Sequence, residues 1–428
     1  MELTPPPRPD WRKALAWAFY DWANSAFATT VMAGFFPVFF KQYWSAELPA
    51  AESTFWLGAG NSLASLVIVV LAPVLGAIAD RGSAKKRFLL FFSAMGIVMT
   101  GCLYWVAQGH WGVAVTLYAL GVIGFSGANI FYDALIVGVA EERKLDFVSA
   151  LGFSLGYLGG GVLFAVNVVM TLHPDWFGLA DRTTAVQVSF VTVAVWWAVF
   201  SVPVFLFVPE PRGAGRVRGL AAVRAGFAQL RHTLKEIRRL RMVALFLAAY
   251  WLYIDGVDTI VRMAVDYGLA LGFAADGLIL ALLIVQFVGF PAALAFGKIG
   301  ERLGARTGIF IGIGAYIGIT FWGYFMTEPW EFYALATAIG LVQGGIQSLS
   351  RSLYARIIPP DKSGEFFGFY NMLGKFAAVI GPVLMGWVGV MTGSPRASIL
   401  SLLLLFGAGG LLLWRVDEAE GRRMARGL

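Results

Sequence analysis

Four ionisable side chains lie in the apolar run that starts at Tyr250. They are Asp255, Asp258, Arg262 and Asp266. Their spacing of three, four and four residues lets one face of a helix carry all of them, while apolar side chains cover the rest. A charge in hydrocarbon costs several kcal/mol, so this face must look into protein or water. Carboxylates held there can bind a cationic group, or can take up and release a proton.

Two interpretations of this face remain open. Asp258 and Arg262 are four residues apart, so they can neutralise each other and orient the helix without touching a solute. Alternatively, the pair contacts the solute, because ionisable residues inside a membrane are functional by default. Asp255 is predicted at mid-depth, which makes it a better candidate for proton coupling than the pair.

The composition indicates a membrane protein. Hydrophobic residues make up 58% of the 428 residues and charged residues only 14%, whereas soluble domains carry about 25% charged residues. A span with a short loop takes roughly 30 to 40 residues, so the length allows about a dozen spans. We therefore expect an all-α polytopic membrane protein with 12 transmembrane helices. The apolar runs lie near residues 14–43, 54–79, 88–108, 111–140, 147–172, 185–208, 242–268, 276–298, 307–326, 330–356, 365–391 and 396–415.

The basic residues fall mainly on one side of these spans. If the N-terminus is cytoplasmic, 27 of the 33 lysines and arginines lie in cytoplasmic segments. The positive-inside rule then puts both termini in the cytoplasm and the protein in the cytoplasmic membrane. The net charge of +7 has this topological origin, so nucleic acid is not an expected partner.

The chain divides in the middle. A basic segment with leucine, valine and phenylalanine at helical spacing follows Pro209-Glu210-Pro211, and it predicts an amphipathic helix on the lipid surface. We expect a six-helix bundle over 1–208, a cytoplasmic linker helix over 209–241 and a second six-helix bundle over 242–428. Membrane lipid is the partner of the linker in this interpretation.

An internal repeat supports two related halves. The segment Gly76-Ala77-Ile78-Ala79-Asp80-Arg81-Gly82 follows the second span, and Gly297-Lys298-Ile299-Gly300-Glu301-Arg302-Leu303-Gly304 follows the eighth. Both carry a glycine, three residues, an acid and an arginine. Repeated halves with a binding site between them are typical of secondary transporters.

These two segments resemble the signature loops of the major facilitator superfamily. Five further segments are similar to one bacterial branch, the Unknown Major Facilitator family, which is related to the autophagy-linked vacuolar amino-acid effluxers of fungi. They are Tyr20-Asp21-Trp22-Ala23-Asn24-Ser25-Ala26-Phe27, Phe131-Tyr132-Asp133-Ala134-Leu135, Tyr253-Ile254-Asp255-Gly256-Val257-Asp258-Thr259, Gly344-Gly345-Ile346-Gln347-Ser348-Leu349-Ser350-Arg351-Ser352 and Glu365-Phe366-Phe367-Gly368-Phe369-Tyr370. Asp133 departs from the asparagine expected in the family pattern, which leaves open whether the charge state of the site is shared.

The resemblance implies that helices 1, 4, 7 and 10 line a central cavity, and those helices carry polar stripes here. The candidate substrate or coupling residues are Asp21, Asn24, Asn129, Tyr132, Asp133, Asp255, Asp258, Arg262, Gln343, Gln347, Arg351 and Lys375. Arg351 and Lys375 suit an anionic group, and Asp133 or Asp255 suits an ammonium, so a zwitterion such as an amino acid fits. Asp133 shares the coupling role with Asp255, and Asp21 is placed nearer the inner gate.

The candidate gating residues are Asp80, Arg81, Glu301 and Arg302. Asp80 follows the second helix and is expected to accept hydrogen bonds from the start of helix 11, near Gly364. A topology-fixing basic loop would explain Lys85, Lys86 and Arg87 but not the repeated acid-arginine pair.

The sequence thus predicts a proton-coupled secondary transporter of a small polar solute, with an amino acid and export favoured. No enzymatic step, cofactor or metal site is expected, since three scattered histidines and one cysteine offer few soft ligands. The sequence contains no segment that resembles a phosphate-binding loop, so it gives no support for transport driven by ATP. A monomer is expected. One alternative is a multidrug or metabolite exporter of the same fold, and another is a membrane receptor or scaffold that transports nothing.

Overall fold

The computed structural model describes residues 11–210, 240–270, 277–376 and 380–427. Among these residues 12 helices are long and apolar enough to cross a membrane, which confirms the predicted number and the all-α class. We number the spans α1 to α12 and a short helix after them α13. The predicted linker helix over 209–241 lies almost wholly outside the described residues.

The bounds of the helices agree with the apolar runs to within a few residues for most spans. The first six are α1 (Trp11–Trp44), α2 (Ala50–Gly82), α3 (Lys85–Cys102), α4 (Trp111–Leu135), α5 (Leu145–Leu172) and α6 (Arg182–Phe207). The others are α7 (Arg241–Ala270), α8 (Gly277–Leu303), α9 (Ala305–Phe325), α10 (Pro329–Ile357), α11 (Ser363–Phe376 and Ile380–Thr392), α12 (Pro395–Leu400 and Leu402–Trp414) and α13 (Glu418–Arg426).

The first span is not a regular α-helix along its whole length. Its backbone forms π-helical turns at Phe27–Phe35 and at Phe40–Trp44. A π-helical turn holds more residues than an α-helical one and is frequent at functional sites. The first of these segments follows directly after the polar residues of α1, so it lies where that helix passes the central cavity.

The spans α1 to α6 and α7 to α12, which we call the first and second halves, share a buried core toward one end of the molecule. We call the end where α1 begins and α12 finishes the terminal end, and the other the distal end. One buried cluster joins both halves and includes Trp17, Phe131, Phe246 and Tyr354. A second cluster, around Phe36, has its buried residues in the first six helices and lies toward the distal end, where Leu282 and Leu283 of α8 pack against it. The halves are therefore packed tightly together at the terminal end.

Glycines permit this close packing between α2 and α11. A Cβ on Gly368 would lie 2.6 Å from the carbonyl oxygen of Ala72, and a Cβ on Gly76 would collide with the backbone of Gly364. Such contacts let two helix backbones touch without side chains between them. They bring the end of α2 within hydrogen-bonding reach of the start of α11.

Candidate substrate site

A polar cavity of about 380 Å³ lies between the two sets of six helices. The polar stripes of α1, α4 and α10 converge on it, as the sequence analysis expected. The predicted residues that line it are Asp21, Asn24, Asn129, Tyr132, Asp133, Gln343, Gln347 and Arg351. Phe153, Tyr157, Gln286 and Asn371 also line it, and the sequence analysis did not single them out.

Arg351 of α10 ties the two halves together. Its Nη1 donates to Asp133 Oδ1 at 3.0 Å and lies 3.5 Å from Asp21 Oδ2. Its Nε donates to Ser149 Oγ and its Nη2 to the Ser149 carbonyl oxygen, both at 2.9 Å. Only 3% of the side chain is exposed. All three nitrogens therefore bind acceptors on α1, α4 and α5, across the boundary between the halves.

Aromatic rings surround the same guanidinium group. Its central carbon lies 4.4 Å from the ring centre of Phe153, 4.7 Å from that of Trp17 and 5.4 Å from that of Tyr132. Trp17 is itself fixed, because its Nε1 donates to the carbonyl oxygen of Tyr132 at 2.9 Å. Cation–π attraction is strongest where the cation is desolvated, so these rings stabilise Arg351 in its buried position.

The two carboxylates are held differently. Both oxygens of Asp133 accept hydrogen bonds, Oδ1 from Arg351 and Oδ2 from Asn371 Nδ2 at 3.0 Å. Asp21 accepts from Tyr132 Oη at 2.8 Å through Oδ2. Within the described part of the chain its Oδ1 has no hydrogen-bond partner, and 15% of the side chain remains exposed. Both carboxylates line the cavity, and Asp21 is the more exposed of the two, at 15% against 10%.

Two glycines of α5 make room for this cluster. A Cβ on Gly152 would lie 2.7 Å from Asp21 Oδ2 and 2.8 Å from Tyr132 Oη, and one on Gly156 would lie 2.7 Å from Ser25 Oγ. The sequence analysis noted no site on α5. These two glycines, four residues apart beside Ser149 and Phe153, were the one available signal that α5 approaches the polar stripe of α1.

Asp255 does not line the polar cavity, which corrects the expectation that it faces the solute. It is fully buried, and it accepts hydrogen bonds from the backbone N–H groups of Ile380 (3.0 Å) and Gly381 (2.9 Å). The hydroxyl of Thr259 donates to it at 3.2 Å. The physical reason is that the carboxylate, which is buried between α7 and α11, is satisfied by N–H groups of the α11 backbone and not by a solute.

The remaining predicted residues of this set do not join the cavity either. Asp258 is half-buried on α7, and neither it nor the half-buried Lys375 of α11 lines the polar cavity. The side chains of Arg262 and Asp266 lie outside the described part of the structure. Within the described residues, the ionisable side chains that line the cavity are therefore two aspartates, one arginine and the tyrosines.

The contact predicted between Asp80 and the start of α11 is present. Asp80 Oδ1 accepts from the N–H of Gly364 at 3.0 Å and Oδ2 from that of Glu365 at 2.8 Å. Lys85, interpreted from the sequence as part of a topology-fixing loop, is buried instead. Its Nζ lies 2.7 Å from Asp80 Oδ1 and donates to Ser363 Oγ at 2.9 Å. We call Asp80, Lys85 and the backbone of 363–365 the α2–α11 latch.

The repeated loop makes a related contact on the other side. Glu301, the acid of the second copy of the repeat, lies near the end of α8 and pairs with Lys144 at 2.9 Å. Next to it the buried Asp146 of α5 lies 2.5 Å from Arg356 of α10 and accepts from Ser352 Oγ. Arg302 is exposed, and Arg81 is half-buried. Each copy of the repeat thus places its acidic residue, Asp80 or Glu301, where the first half of the protein meets the second at the terminal end.

The short helix α13 crosses the same junction. Arg422 lies 2.7 Å and Arg426 3.1 Å from the carboxylate of Glu142, which follows α4 in the first half. Glu418 at the start of α13 pairs with Arg356 at 3.5 Å. Gly421 packs on Ile357, where a Cβ would lie 2.8 Å from that side chain. α13 therefore connects the second half to the first by exposed and half-exposed ion pairs.

A second, apolar cavity of about 320 Å³ adjoins the polar one. The two share the lining residues Ala28, Thr29, Tyr157, Gln286 and Gln343. Further lining residues are apolar and come mainly from the second half, among them Ile260, Leu335, Ile339 and Met385. A solute in the polar cavity can therefore extend an apolar group into this one.

The sequence as a whole matches a known family. A family model described as "Vacuole effluxer Atg22 like" matches residues 51–145 and 139–426. An uncharacterised MFS-type transporter of Bacillus subtilis (strain 168), YxiO, is 38% identical over 406 residues, which cover 94% of each chain. Autophagy-related protein 22 of Yarrowia lipolytica is 25% identical over 451 aligned positions, covering 85% of this chain and 76% of its own.

Solved structures share the fold. The human organic anion transporter MFSD10 superposes with a TM-score of 0.72 at 15% identity, over 95% of this chain and 100% of its own. The proton:xylose symporter XylE gives a TM-score of 0.69 at 14% identity, over 96% of both chains. At such low identity the likeness concerns architecture alone, and it is that of the major facilitator superfamily.

Proposed function

The chain belongs to the Atg22-like family of major facilitator transporters, and on that premise we propose that it carries a small polar solute by alternating access, with an amino acid favoured. The observation that carries the proposal is the polar cavity between the halves, closed at the terminal end and crossed by the ion pairs of Arg351. A bound solute in such a cavity exchanges sides when the two halves rock about it.

Proton coupling follows from the same ion pairs. Arg351 belongs to one half, while Asp21 and Asp133 belong to the other. A proton on either carboxylate removes part of the attraction that holds the halves together, so protonation biases the equilibrium toward a state in which they separate. Asp21 and Asp133 are the coupling residues in this proposal, and Asp255 is a structural residue that fixes α11 to α7.

The orientation in the membrane comes from the charges of the loops. The terminal end carries the basic segments, which the positive-inside rule assigns to the cytoplasm. Both termini are then cytoplasmic, and the halves 1–208 and 242–428 are joined on that side by the segment 209–241. We propose that the cavity opens to the outside at the distal end and that the solute is exported in exchange for protons.

The second candidate is a multidrug or metabolite exporter, which the adjoining apolar cavity favours. A solute with a large apolar part and a single polar group would use both cavities. The third candidate is a receptor or scaffold that transports nothing. Such a protein would not need a cavity with ion pairs between the two halves.

Transport by purified protein in proteoliposomes tests the function directly. We expect an imposed pH gradient to drive accumulation of a radiolabelled amino acid, and we expect Asp21→Asn and Asp133→Asn to abolish that accumulation. Asp181→Asn is the matched control, because Asp181 is an exposed cap of α6 and asparagine caps helices equally well. Accumulation that stays intact in both cavity variants would exclude this proton assignment, and a gradient that drives no solute in wild type would exclude the function.

A further inference from the structure

The charges of the polar cavity do not balance. Among the described residues that line it, two are carboxylates, Asp21 and Asp133, and one is a guanidinium, Arg351. One negative charge is left over when all three are ionised. The protein encloses these side chains on most sides, so a positive charge in the cavity, either a proton or part of a solute, stabilises the remaining carboxylate.

The arginine is not available to an anionic solute. Its three nitrogens already bind Asp133, Asp21 and Ser149, and the rings of Trp17 and Phe153 cover the group. A carboxylate would need the forked face of the guanidinium for a two-point contact. It would have to displace contacts on three helices of the other half, α1, α4 and α5, to reach that face. The protein therefore does not recognise the solute through an anionic group.

Asp21 supplies the open acceptor. Its Oδ1 has no partner among the described residues and its side chain faces the cavity, whereas both oxygens of Asp133 are occupied. The groups that face Asp21 are Tyr132 and Asp133 from α4 and Arg351 from α10, and α5 presents Gly152 to it. A positively charged donor that enters the polar cavity can therefore donate a hydrogen bond to Asp21 Oδ1.

We propose that Asp21 binds the ammonium group of the transported solute and that a proton competes with that ammonium group for the same carboxylate. The proposal rests on the transport function proposed above and narrows the solute to primary ammonium compounds, with no requirement for a carboxylate on the solute. Since one carboxylate holds one cation at a time, a proton entering the cavity expels the amine, and the two are exchanged one for one.

Binding of matched probes to the purified full-length protein tests the recognition step. L-phenylalanine, phenethylamine and N-acetyl-L-phenylalanine share an apolar part that suits the adjoining cavity, and they differ in which charged groups they keep. We expect the first two to raise the unfolding temperature and to displace each other, and we expect the N-acetyl compound, which lacks the ammonium group, to do neither. Stabilisation by the N-acetyl compound alone, or by none of the three, would overturn the proposal.

Competition with protons gives a second, independent readout. We expect the apparent affinity for phenethylamine to fall by up to about tenfold per pH unit once Asp21 takes up its proton. Asp21→Asn should weaken binding at least tenfold and abolish this pH dependence, while Asp21→Glu should retain both. Asp181→Asn should behave as wild type. Unfolding curves without ligand show whether each variant is folded before its binding is measured.

The outcome separates this proposal from the function on which it rests. If proteoliposomes accumulate a solute under a pH gradient but amine affinity is independent of pH in wild type, the transport function stands and the shared site is wrong. The same conclusion holds if Asp21→Asn binds phenethylamine as tightly as wild type does.

Discussion

Arg351 concentrates the interactions on which the cavity depends. A buried arginine with acceptors for each nitrogen and aromatic rings around it is held in one geometry, and that geometry exists only while the halves are together at the terminal end. Breaking a buried ion pair by removing one partner leaves the other charge uncompensated. The same residue therefore links stability, the charge of the cavity and the conformation of the transporter.

Replacing Arg351 by methionine should destabilise the protein by about 3–5 kcal/mol at neutral pH, because Asp21 and Asp133 lose their counter-charge. The loss should shrink as the pH falls, since protonation of the carboxylates removes their repulsion. Unfolding curves at pH 8 and pH 5 measure the difference. Arg302→Met, at an exposed arginine, is the matched control and should have little effect at either pH. An equal loss at both pH values would contradict the role of Arg351 as counter-ion.

The sequence predicted the charged residues that line the polar cavity, but fewer than half of all its lining residues and not the role of each. Asp21, Asp133 and Arg351 stand out because a charge in an apolar run is rare and expensive. Ser149 and Asn371 do not, since an uncharged polar side chain costs far less in an apolar environment than a charge does. Asp255 was assigned to the wrong surroundings for a related reason. Helical periodicity says which residues share a face but not which neighbouring helix that face meets.

At the scale of elements, α11 is held by carboxylates from both halves. Asp80 of α2 accepts from the N–H groups of Gly364 and Glu365, and Asp255 of α7 accepts from those of Ile380 and Gly381. The segment Ser363–Phe376 packs on α2, α4 and α7, and the segment Ile380–Thr392 packs on α7 and α12. α11 is thus a span that contacts both halves.

Asp80→Asn should shift the protein toward a state open at the terminal end. Asparagine keeps one acceptor oxygen but loses the charge that Lys85 and two N–H groups share, and hydrogen bonds to charged groups contribute about 1.5–3 kcal/mol. A Ser348→Cys probe in a Cys102→Ala background reports the opening, because Ser348 is fully buried between the halves. We expect it to react several-fold faster with a maleimide applied from the terminal side.

The control for this experiment is Asp361→Asn, which removes an exposed acid from the loop just before α11. It should leave the labelling rate of the Ser348→Cys probe unchanged. Equal rates in the Asp80 variant and in this control would show that the α2–α11 latch does not hold the terminal end closed.

The ion pairs of α13 should hold the same end more weakly. Exposed pairs contribute about 0.2–1 kcal/mol each, so Arg422→Ala with Arg426→Ala should speed labelling by roughly two- to fivefold. The gain should disappear in 1 M salt, where the wild-type pairs are screened as well. Arg423→Ala removes the same charge from an exposed position of the same helix and should change nothing. A faster rate in all variants alike would indicate that α13 unfolds instead of releasing Glu142.

Hydropathy was enough to predict the number and approximate ends of the spans, because the length of an apolar run is a local property of the chain. It did not predict the π-helical turns in α1. That irregular backbone depends on partners distant in sequence, because Thr29, in the first π-helical segment, receives a hydrogen bond from Gln286 at 2.5 Å.

At the scale of the whole molecule, the interactions between the halves are unevenly distributed. The α2–α11 latch, the Asp146–Arg356 pair, the α13 pairs and the joint core all lie toward the terminal end. Alternating access requires that these contacts break when the distal end closes. Protonation in the cavity weakens only the central ion pairs of Arg351. The α2–α11 latch, the Asp146–Arg356 pair and the α13 pairs therefore determine how strongly the terminal end resists opening.

Distances across the two ends should consequently change in opposite directions. Spin labels at Gln108→Cys and Trp330→Cys report the distal end, and labels at Arg87→Cys and Arg302→Cys report the terminal end, since all four positions are exposed. Lowering the pH from 8 to 5 should populate shorter distal and longer terminal distances in a Cys102→Ala background. Arg351→Met should show both populations already at pH 8, because its halves lack the central tie. Distances that lengthen or shorten together at both ends would be incompatible with rocking of two rigid halves, and would point instead to separate gates that open without the halves moving.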